Sequence, residues 1–436
     1  VSAPFFLRAR EPVGRFVRGA TGRAPQPSLG RLRAAVAALF ALDGFVFGTW
    51  AARVPDVSAQ VGADHTALGA ALLCLSLGAL ACMQLTGALA ARLGPGLVAA
   101  VAAVAVCAAA VLPGLATSVP QLCAALLAFG AATGMVNVAA NSVGVQVEAR
   151  AGRPLLSGLH AAFSFGGLGG ALLGGVAATV LDVPAHLVVV AGAGLLLTAV
   201  LVPTLVGADA AVVQPVPVAA QVPRRSPTAA LVVLGCIAGA TAYGEGALTD
   251  WGALHLREDL GATSGLAAAG YAGFALTMAC GRLAGGALVA RLGERRLLVG
   301  GTLLAAAGAL LAVTTSSVPV ALAGFGVVGL GLANVFPLAV ARAGALGGSR
   351  GIATSTTVGY TGLLGGPPAI GFLATHAGLP VALGTVALLA VVAAVLVALL
   401  DGDRVRVPAL PPLDLSRLDL APVHRAAGDL RILAVA

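Results

Sequence analysis

The chain contains no lysine: all 25 of its Lys-or-Arg positions are arginine. That excludes a Walker-type phosphate loop, whose lysine reaches the terminal phosphates. It also excludes a retinal or pyridoxal Schiff base, since both need a lysine amine. Charge of either sign is scarce, with charged residues making up 10% of the 436 against about 25% in an average soluble domain. Too little polar surface is present to cover a water-exposed body of this size. Aromatic residues are only 4%, so no strong interfacial belt of Trp and Tyr is visible. No Gly-x-Ser-x-Gly elbow or His-Glu-x-x-His helix occurs. Cys74, Cys82, Cys107, Cys123, Cys236 and Cys280 show no Cys-x-x-Cys spacing and read as buried small hydrophobes. The expectation is therefore no cofactor, no metal and no enzymatic constellation. Any energy source is an ion gradient or the substrate's own gradient.

What remains is apolar: hydrophobic residues are 59% of the chain and the mean hydropathy is +0.99. The charges form short islands between apolar runs of about 20 residues, the length that crosses about 30 Å of hydrocarbon. Twelve spans are predicted, at roughly 33–52, 66–91, 97–116, 120–147, 157–181, 185–206, 229–250, 264–290, 295–316, 319–344, 351–376 and 380–400. Helices are the natural form, because an isolated span in lipid must satisfy its backbone internally; the alternation of a transmembrane barrel is missing. The 60 glycines suit close helix approach in a bilayer. The predicted fold class is an all-α membrane protein with twelve transmembrane helices in two pseudo-symmetric six-helix bundles. Its predicted parts are a basic N-terminal tail (1–32), a first bundle (33–206), a linker (207–228), a second bundle (229–400) and a C-terminal tail (401–436). No cleavable signal is expected in the first thirty residues.

Arginine sets the expected orientation. Arg8, Arg10, Arg15, Arg18, Arg23, Arg31 and Arg33 crowd the first tail, and Arg92, Arg150, Arg153, Arg224, Arg225, Arg291, Arg295, Arg296 and Arg350 fall on the same side of the predicted spans. Arg53 and Arg257 are expected on the other side. Positive loops stay cytoplasmic, so both termini are expected there, in the plasma membrane. The net charge of +8 follows from this asymmetry, and no aromatic platform or motif supports nucleic-acid binding.

The strongest internal signal is a repeated turn. Gly87-Ala88-Leu89-Ala90-Ala91-Arg92-Leu93-Gly94 recurs as Gly286-Ala287-Leu288-Val289-Ala290-Arg291-Leu292-Gly293. Each copy follows the second span of its half, and a duplicated bundle of this kind is the mark of a secondary transporter. With these turns, the chain resembles the major facilitator superfamily over about 33–400. Local strings resemble its YbjJ/MosC-like branch: Gly44-Phe45-Val46-Phe47-Gly48-Thr49-Trp50-Ala51-Ala52-Arg53-Val54-Pro55, Gly244-Glu245-Gly246-Ala247 leading to Asp250-Trp251, Ser157-Gly158-Leu159-His160, and Gly329-Leu330-Gly331-Leu332-Ala333-Asn334. Relatives of that branch include proteins associated with a polyol-like rhizopine, and the fold is similar to that of fucose–proton symporters. The superfamily turn usually carries an Asp before its Arg; Ala91 and Ala290 stand there instead. The inside gate must then differ, with Glu148, Arg150, Arg282, Glu294 and Arg342 as substitutes and Arg92, Arg291, Arg282 and Asp250 as candidate gating residues. The Gly-Pro motif of antiporters is missing from the fifth span.

Ionisable residues inside a bilayer cost about 2.5–3.5 kcal/mol each on insertion scales, so each needs a reason. Asp43 lies near the middle of the first span, with Phe47 and Trp50 at i+4 and i+7 on its face. An acid with rings beside it suits a sugar or polyol, or else helix packing. Glu245 lies in the seventh span, the first span's counterpart, and is assigned with Asp43 to proton coupling; a structural salt bridge is the alternative. Asp250 and Trp251 are expected at the outer boundary, as a gate or a solvated helix end. Asn137 and Asn141 share a face of the fourth span and Asn334 holds the matching place in the tenth; amides bind neutral polar solutes or clip helices together. His160 is a further substrate candidate, and Pro367-Pro368 are expected to kink the eleventh span. The expected function is proton symport of a small polar solute by a membrane-embedded monomer in contact with lipid. Proton-antiport efflux of amphipathic compounds and a non-transporting solute sensor are the alternatives.

Overall fold

The computed structural model describes residues 27–152, 155–209 and 228–402, and all of the secondary structure in them is helical. In order these are α1 (Leu29–Val61), α2 (His65–Leu93), α3 (Pro95–Leu115), α4 (Val119–Ala151), α5 (Leu156–Ala177), α6 (Val183–Ala208), α7 (Thr228–Glu258), α8 (Ser264–Leu292), α9 (Glu294–Thr314), α10 (Val318–Gly348), α11 (349–377) and α12 (Leu379–Gly402). Among the described residues, eleven helices are long and apolar enough to cross a bilayer. The helix at the predicted eleventh span is not one of them, because Thr356, Thr357, Thr361, Pro367 and Pro368 dilute its hydropathy. Most of the expected tails and linker, with Arg153, Arg224 and Arg225, lie outside the described residues.

Helix boundaries follow local chemistry. Asp64 Oδ1 accepts from the Ala67 amide at 2.7 Å and Asp182 Oδ1 from the Ala185 amide at 2.8 Å, capping α2 and α6. Pro95, Pro120, Pro184 and Pro319 sit in first turns, where an amide hydrogen would have no helical acceptor. The repeated turn ends in Gly94 (φ 96°) and Gly293 (φ 80°). Side chains other than glycine resist that backbone region, which is why both copies close on the same residue.

Packing repeats with the sequence. In the first half α1 lies against α5, α2 against α4 and α3 against α6; in the second, α7 against α11, α8 against α10 and α9 against α12. Glycine brings the backbones together: a Cβ on Gly170 would run into the Phe45 carbonyl, and one on Gly362 into that of Gly239. Leu196 and Val200 of α6 remain 74% exposed on the outside of the bundle, where acyl chains replace water as the solvent.

The two halves meet chiefly through α2 with α11 and α5 with α8. The polar contacts that join described residues of the two halves lie towards one end. There Arg257 pairs with Asp56, His65 Nε2 lies 2.8 Å from Glu258 Oε2, and the Thr66 amide donates to Thr375 Oγ1 at 3.1 Å. Deeper in, Gly69 packs beneath the Pro367 carbonyl and Ser76 Oγ donates to the Leu363 carbonyl at 3.4 Å. At the opposite end, which bears the repeated turns, Gly87, Arg92 and Arg291 are exposed. The described polar contacts thus clamp the halves at one end and leave these turn residues exposed at the other.

Two expectations need correction. Arg53 is not in an outer loop: α1 runs on through Pro55 to Val61, and Arg53 is buried inside the bundle at 2% exposure. Asp250 and Trp251 do not form a solvated helix end; both are buried, because α7 continues past them to Glu258. The run Val335–Ala377 leaves helical backbone at Gly348 (φ 57°), between α10 and α11, and Pro367 and Pro368 lie inside α11.

Candidate functional site

Polar groups inside the bundle form three tiers. The clamped end is built on Arg53, whose guanidinium reaches in three directions. Nε donates to His186 Nδ1 at 3.0 Å, Nη1 to Asp56 Oδ2 at 2.9 Å and Nη2 to the Leu181 carbonyl at 2.7 Å. The cation thereby ties α1 to α6, and because Asp56 also receives Arg257, the network crosses between halves. A planar fork with five donors does this where an ammonium does not. Trp251 supports the same end, its ring meeting that of His65 edge-on at 6.2 Å.

The middle tier holds Asp43, Tyr271 and Asp250, all buried. Asp43 Oδ1 has no hydrogen-bond partner among the described residues. Tyr271 of α8 crosses the boundary between halves and sets its hydroxyl over Gly167 of α5. It lies within electrostatic reach of Asp43, Asp250, Glu245 and Arg282, so the charges of both halves converge on it. Trp50 is buried against Phe129, ring centroids 6.3 Å apart, inside the first half, whereas Phe47 is half-buried.

The third tier lies towards the end that bears the repeated turns. Arg282 is ten residues from the end of α8, about 15 Å at 1.5 Å per residue. Its Nη2 is 3.3 Å from Glu245 Oε2. Both side chains are partly exposed, at 27% for Arg282 and 39% for Glu245. Facing them from the other half is His160 of α5, within electrostatic reach of both and edge-on to Phe40 at 5.1 Å. Glu245, Arg282 and His160 are the sequence-derived candidates that the fold brings together.

The amides divide. Asn334 Nδ2 donates to the Gly281 carbonyl at 2.8 Å, clipping α10 to α8. Asn141 Nδ2 turns back to the Asn137 carbonyl at 2.8 Å, and the Asn137 side chain is exposed. Three of the substitutes proposed for the missing turn aspartate make contacts within their own half. Glu148 Oε2 accepts from the Leu155 and Leu156 amides at 2.7 and 3.0 Å, Arg150 donates to the Ala208 carbonyl at 3.3 Å, and Arg342 faces Glu294 at 3.9 Å. Another carboxylate serves the turn itself: Asp209, after α6, accepts from the Gly96 and Leu97 amides at 2.8 Å each. Sequence reasoning missed Asp56, His65, Glu258, His186 and Tyr271. The i,i+3 spacing of Arg53 and Asp56 is the one local signal that pointed towards the clamp.

Comparison with known proteins agrees with this architecture. The Major Facilitator Superfamily profile matches residues 231–431. The chain is 36% identical over 357 residues to an uncharacterised MFS-type transporter of Yersinia pestis, covering 80% of this chain and 91% of that one. It is 28% identical to the membrane protein MosC of Rhizobium meliloti, covering 86% of this chain and 90% of that one. Among solved structures it is similar in fold to a bacterial homologue of the human lysosomal transporter Spinster in an inward-facing, unoccupied conformation. There the TM-score is 0.71 and the identity 15%, over 89% of this chain and 100% of that one.

Proposed function

The chain belongs to the major facilitator superfamily, a multi-pass membrane transporter, and from that premise we propose that it is a secondary transporter carrying a small polar solute across a bacterial plasma membrane by proton symport. The observation that supports this reading is the contrast between the two ends. Ion pairs across the halves hold one end shut, while Glu245, Arg282 and His160 stand on facing halves towards the other. Rocking the halves about the central Tyr271–Gly167 contact exchanges which end is open. With the arginine-rich side in the cytoplasm, this is the inward-facing state of a chain whose termini are both cytoplasmic. Asp43 and Glu245 are the proton carriers. A buried carboxylate with an unpartnered oxygen is costly unless a proton neutralises it, which suits Asp43 to exchange protons as the bundle opens. A sugar, polyol or related metabolite is the cargo, and a monomer is the working unit.

The test is uptake of labelled polyols and sugars into proteoliposomes, with and without an imposed proton gradient, for wild type and Asp43→Asn. Accumulation driven by the gradient and lost in the variant, with exchange retained, supports the assignment. Accumulation unchanged by the substitution removes Asp43 from the coupling step.

A further inference from the structure

The Glu245–Arg282 pair is looser than a satisfied ion pair. Nη2 of Arg282 lies 3.3 Å from Oε2 and 3.5 Å from Oε1 of Glu245, whereas charge-assisted N–H···O bonds run at about 2.7–2.9 Å. One nitrogen makes both contacts. Nε and Nη1 hydrogen-bond to no described residue, which leaves most of a five-donor fork unused. Arg53 shows the contrast within the same molecule, with all three of its nitrogens engaged at 2.7–3.0 Å. Arg282 is half-sequestered and faces the opposite half of the bundle. A cation so placed costs free energy unless an anion completes it.

We infer that the transported solute carries a carboxylate, that Arg282 binds it through the donors Glu245 leaves unused, and that Glu245, displaced from Arg282, takes up the co-transported proton. The inference rests on the transport reading above and names its substrate class. A solute carboxylate has the same chemistry as Glu245 and competes for the same cation. It also fits the guanidinium fork with two parallel bonds, where Glu245 uses one nitrogen. A neutral polyol has no such claim on Arg282.

Once displaced, Glu245 is a carboxylate without its cation, and as the halves close over it a proton from the solution that delivers the solute neutralises it. Anion and proton then cross as an electroneutral unit, and both leave when Glu245 returns to Arg282 on the other side. No covalent bond forms or breaks. The other groups near this pair are His160 of α5 and Tyr271 of α8, with Asp43 and Asp250 within electrostatic reach of Tyr271. His160 adds a donor from the facing half, so a bound anion also draws the halves together.

The test uses the full chain in liposomes with four probes: gluconate against glucitol, and glycerate against glycerol. Each pair shares a chain length and differs chiefly in one carboxylate. Binding is read by thermal shift and flux by labelled uptake under a pH step. The expected result is binding of at least one acid, at least tenfold tighter than its alcohol. Arg282→Gln lowers that affinity at least tenfold. Glu245→Gln raises it severalfold and uncouples flux from the pH step. A pair that is structural only would lose affinity in both variants, and that outcome overturns the inference, as does equal affinity for acid and alcohol. If the variants fail to fold, the acid–alcohol comparison on wild type decides. Flux of glucitol or glycerol with none of the acids overturns the carboxylate assignment and leaves the transport reading standing. Acid binding without flux overturns the transport reading and the coupling step that rests on it, leaving only carboxylate binding at Arg282, and failure of all four probes to bind or move overturns both.

Discussion

Arg53 and His186 are joined by a 3.0 Å hydrogen bond in which the guanidinium Nε donates to the ring Nδ1. The ring proton therefore sits on Nε2, and a full positive charge is held inside a membrane bundle by an imidazole, a carbonyl and the carboxylate of Asp56. Removing one partner of such a buried arrangement is far more damaging than exchanging both. Arg53→Ala is expected to cost about 3 kcal/mol, read as a lower unfolding temperature of the purified protein. Arg53→Lys does not rescue it, since an ammonium lacks the fork that reaches three directions. An unfolding temperature unchanged in the alanine variant would show that the network is not structural.

Asp56 is shared by Arg53 and Arg257 and so carries the clamp between halves. Hydrogen bonds to charged groups are worth about 1.5–3 kcal/mol, enough to shift a two-state population more than tenfold. Asp56→Asn is expected to populate separation of the clamped end, seen as a longer distance between spin labels on Ala63 and Ala262. Glu258→Gln breaks the more exposed pair with His65, and its effect stays below about 1 kcal/mol. A larger shift from Glu258→Gln than from Asp56→Asn would reverse this ranking.

Asp209 predicts a dependence on pH. Burial pushes its carboxyl above the ordinary carboxylate range, while the bonds from the Gly96 and Leu97 amides pull it back. With the native value above the unfolded one, the folded chain binds more protons between the two, so stability falls as pH rises through that window. Asp209→Asn is expected to flatten this slope in thermal scans from pH 4 upward, and to cost about 1 kcal/mol at neutral pH as the α3 cap weakens. An identical slope in the variant would assign the pH dependence to another group.

Glycine substitutions separate packing from open space. Gly170→Leu places side-chain atoms where the Phe45 carbonyl lies, and the α1–α5 contact must part. Overpacking of this sort costs about 1–3 kcal/mol or more, expected as loss of folded monodisperse protein in size-exclusion chromatography. A Cβ on Gly87 would meet nothing within 4 Å, and the position is exposed, so Gly87→Leu is expected to leave the elution profile unchanged. Equal tolerance at both positions would contradict the close α1–α5 approach.

Much of the architecture was legible before folding. Hydropathy located the spans, and the repeat ending in Gly94 and Gly293 divided the chain into halves. Hydropathy ends the first span at residue 52 because Arg53, Pro55 and Asp56 look like a loop: two are charged and one breaks helices. Only when His186 and the Leu181 carbonyl are seen beside Arg53 does its burial make sense. The sequence puts Asp250 at the boundary for a similar reason, since its distance along α7 reveals nothing about what covers it. Asn137 and Asn334 matched by position in the two halves, yet Asn334 is occupied by Gly281 while the Asn137 side chain is exposed.

The sequence by itself determined that this chain lives in a membrane, that it is helical and that it is built from two related halves. Those properties follow from costs paid locally: each span must be apolar enough for lipid, and each backbone group must bond within its own helix. The tertiary structure alone decided which end is clamped, that Asp43 is sequestered, and that Glu245, Arg282 and His160 face one another. Asp56 with Arg257, and His160 with Arg282, lie far apart in the chain. Their meeting depends on how two whole bundles lean together, and no stretch of residues encodes that angle on its own.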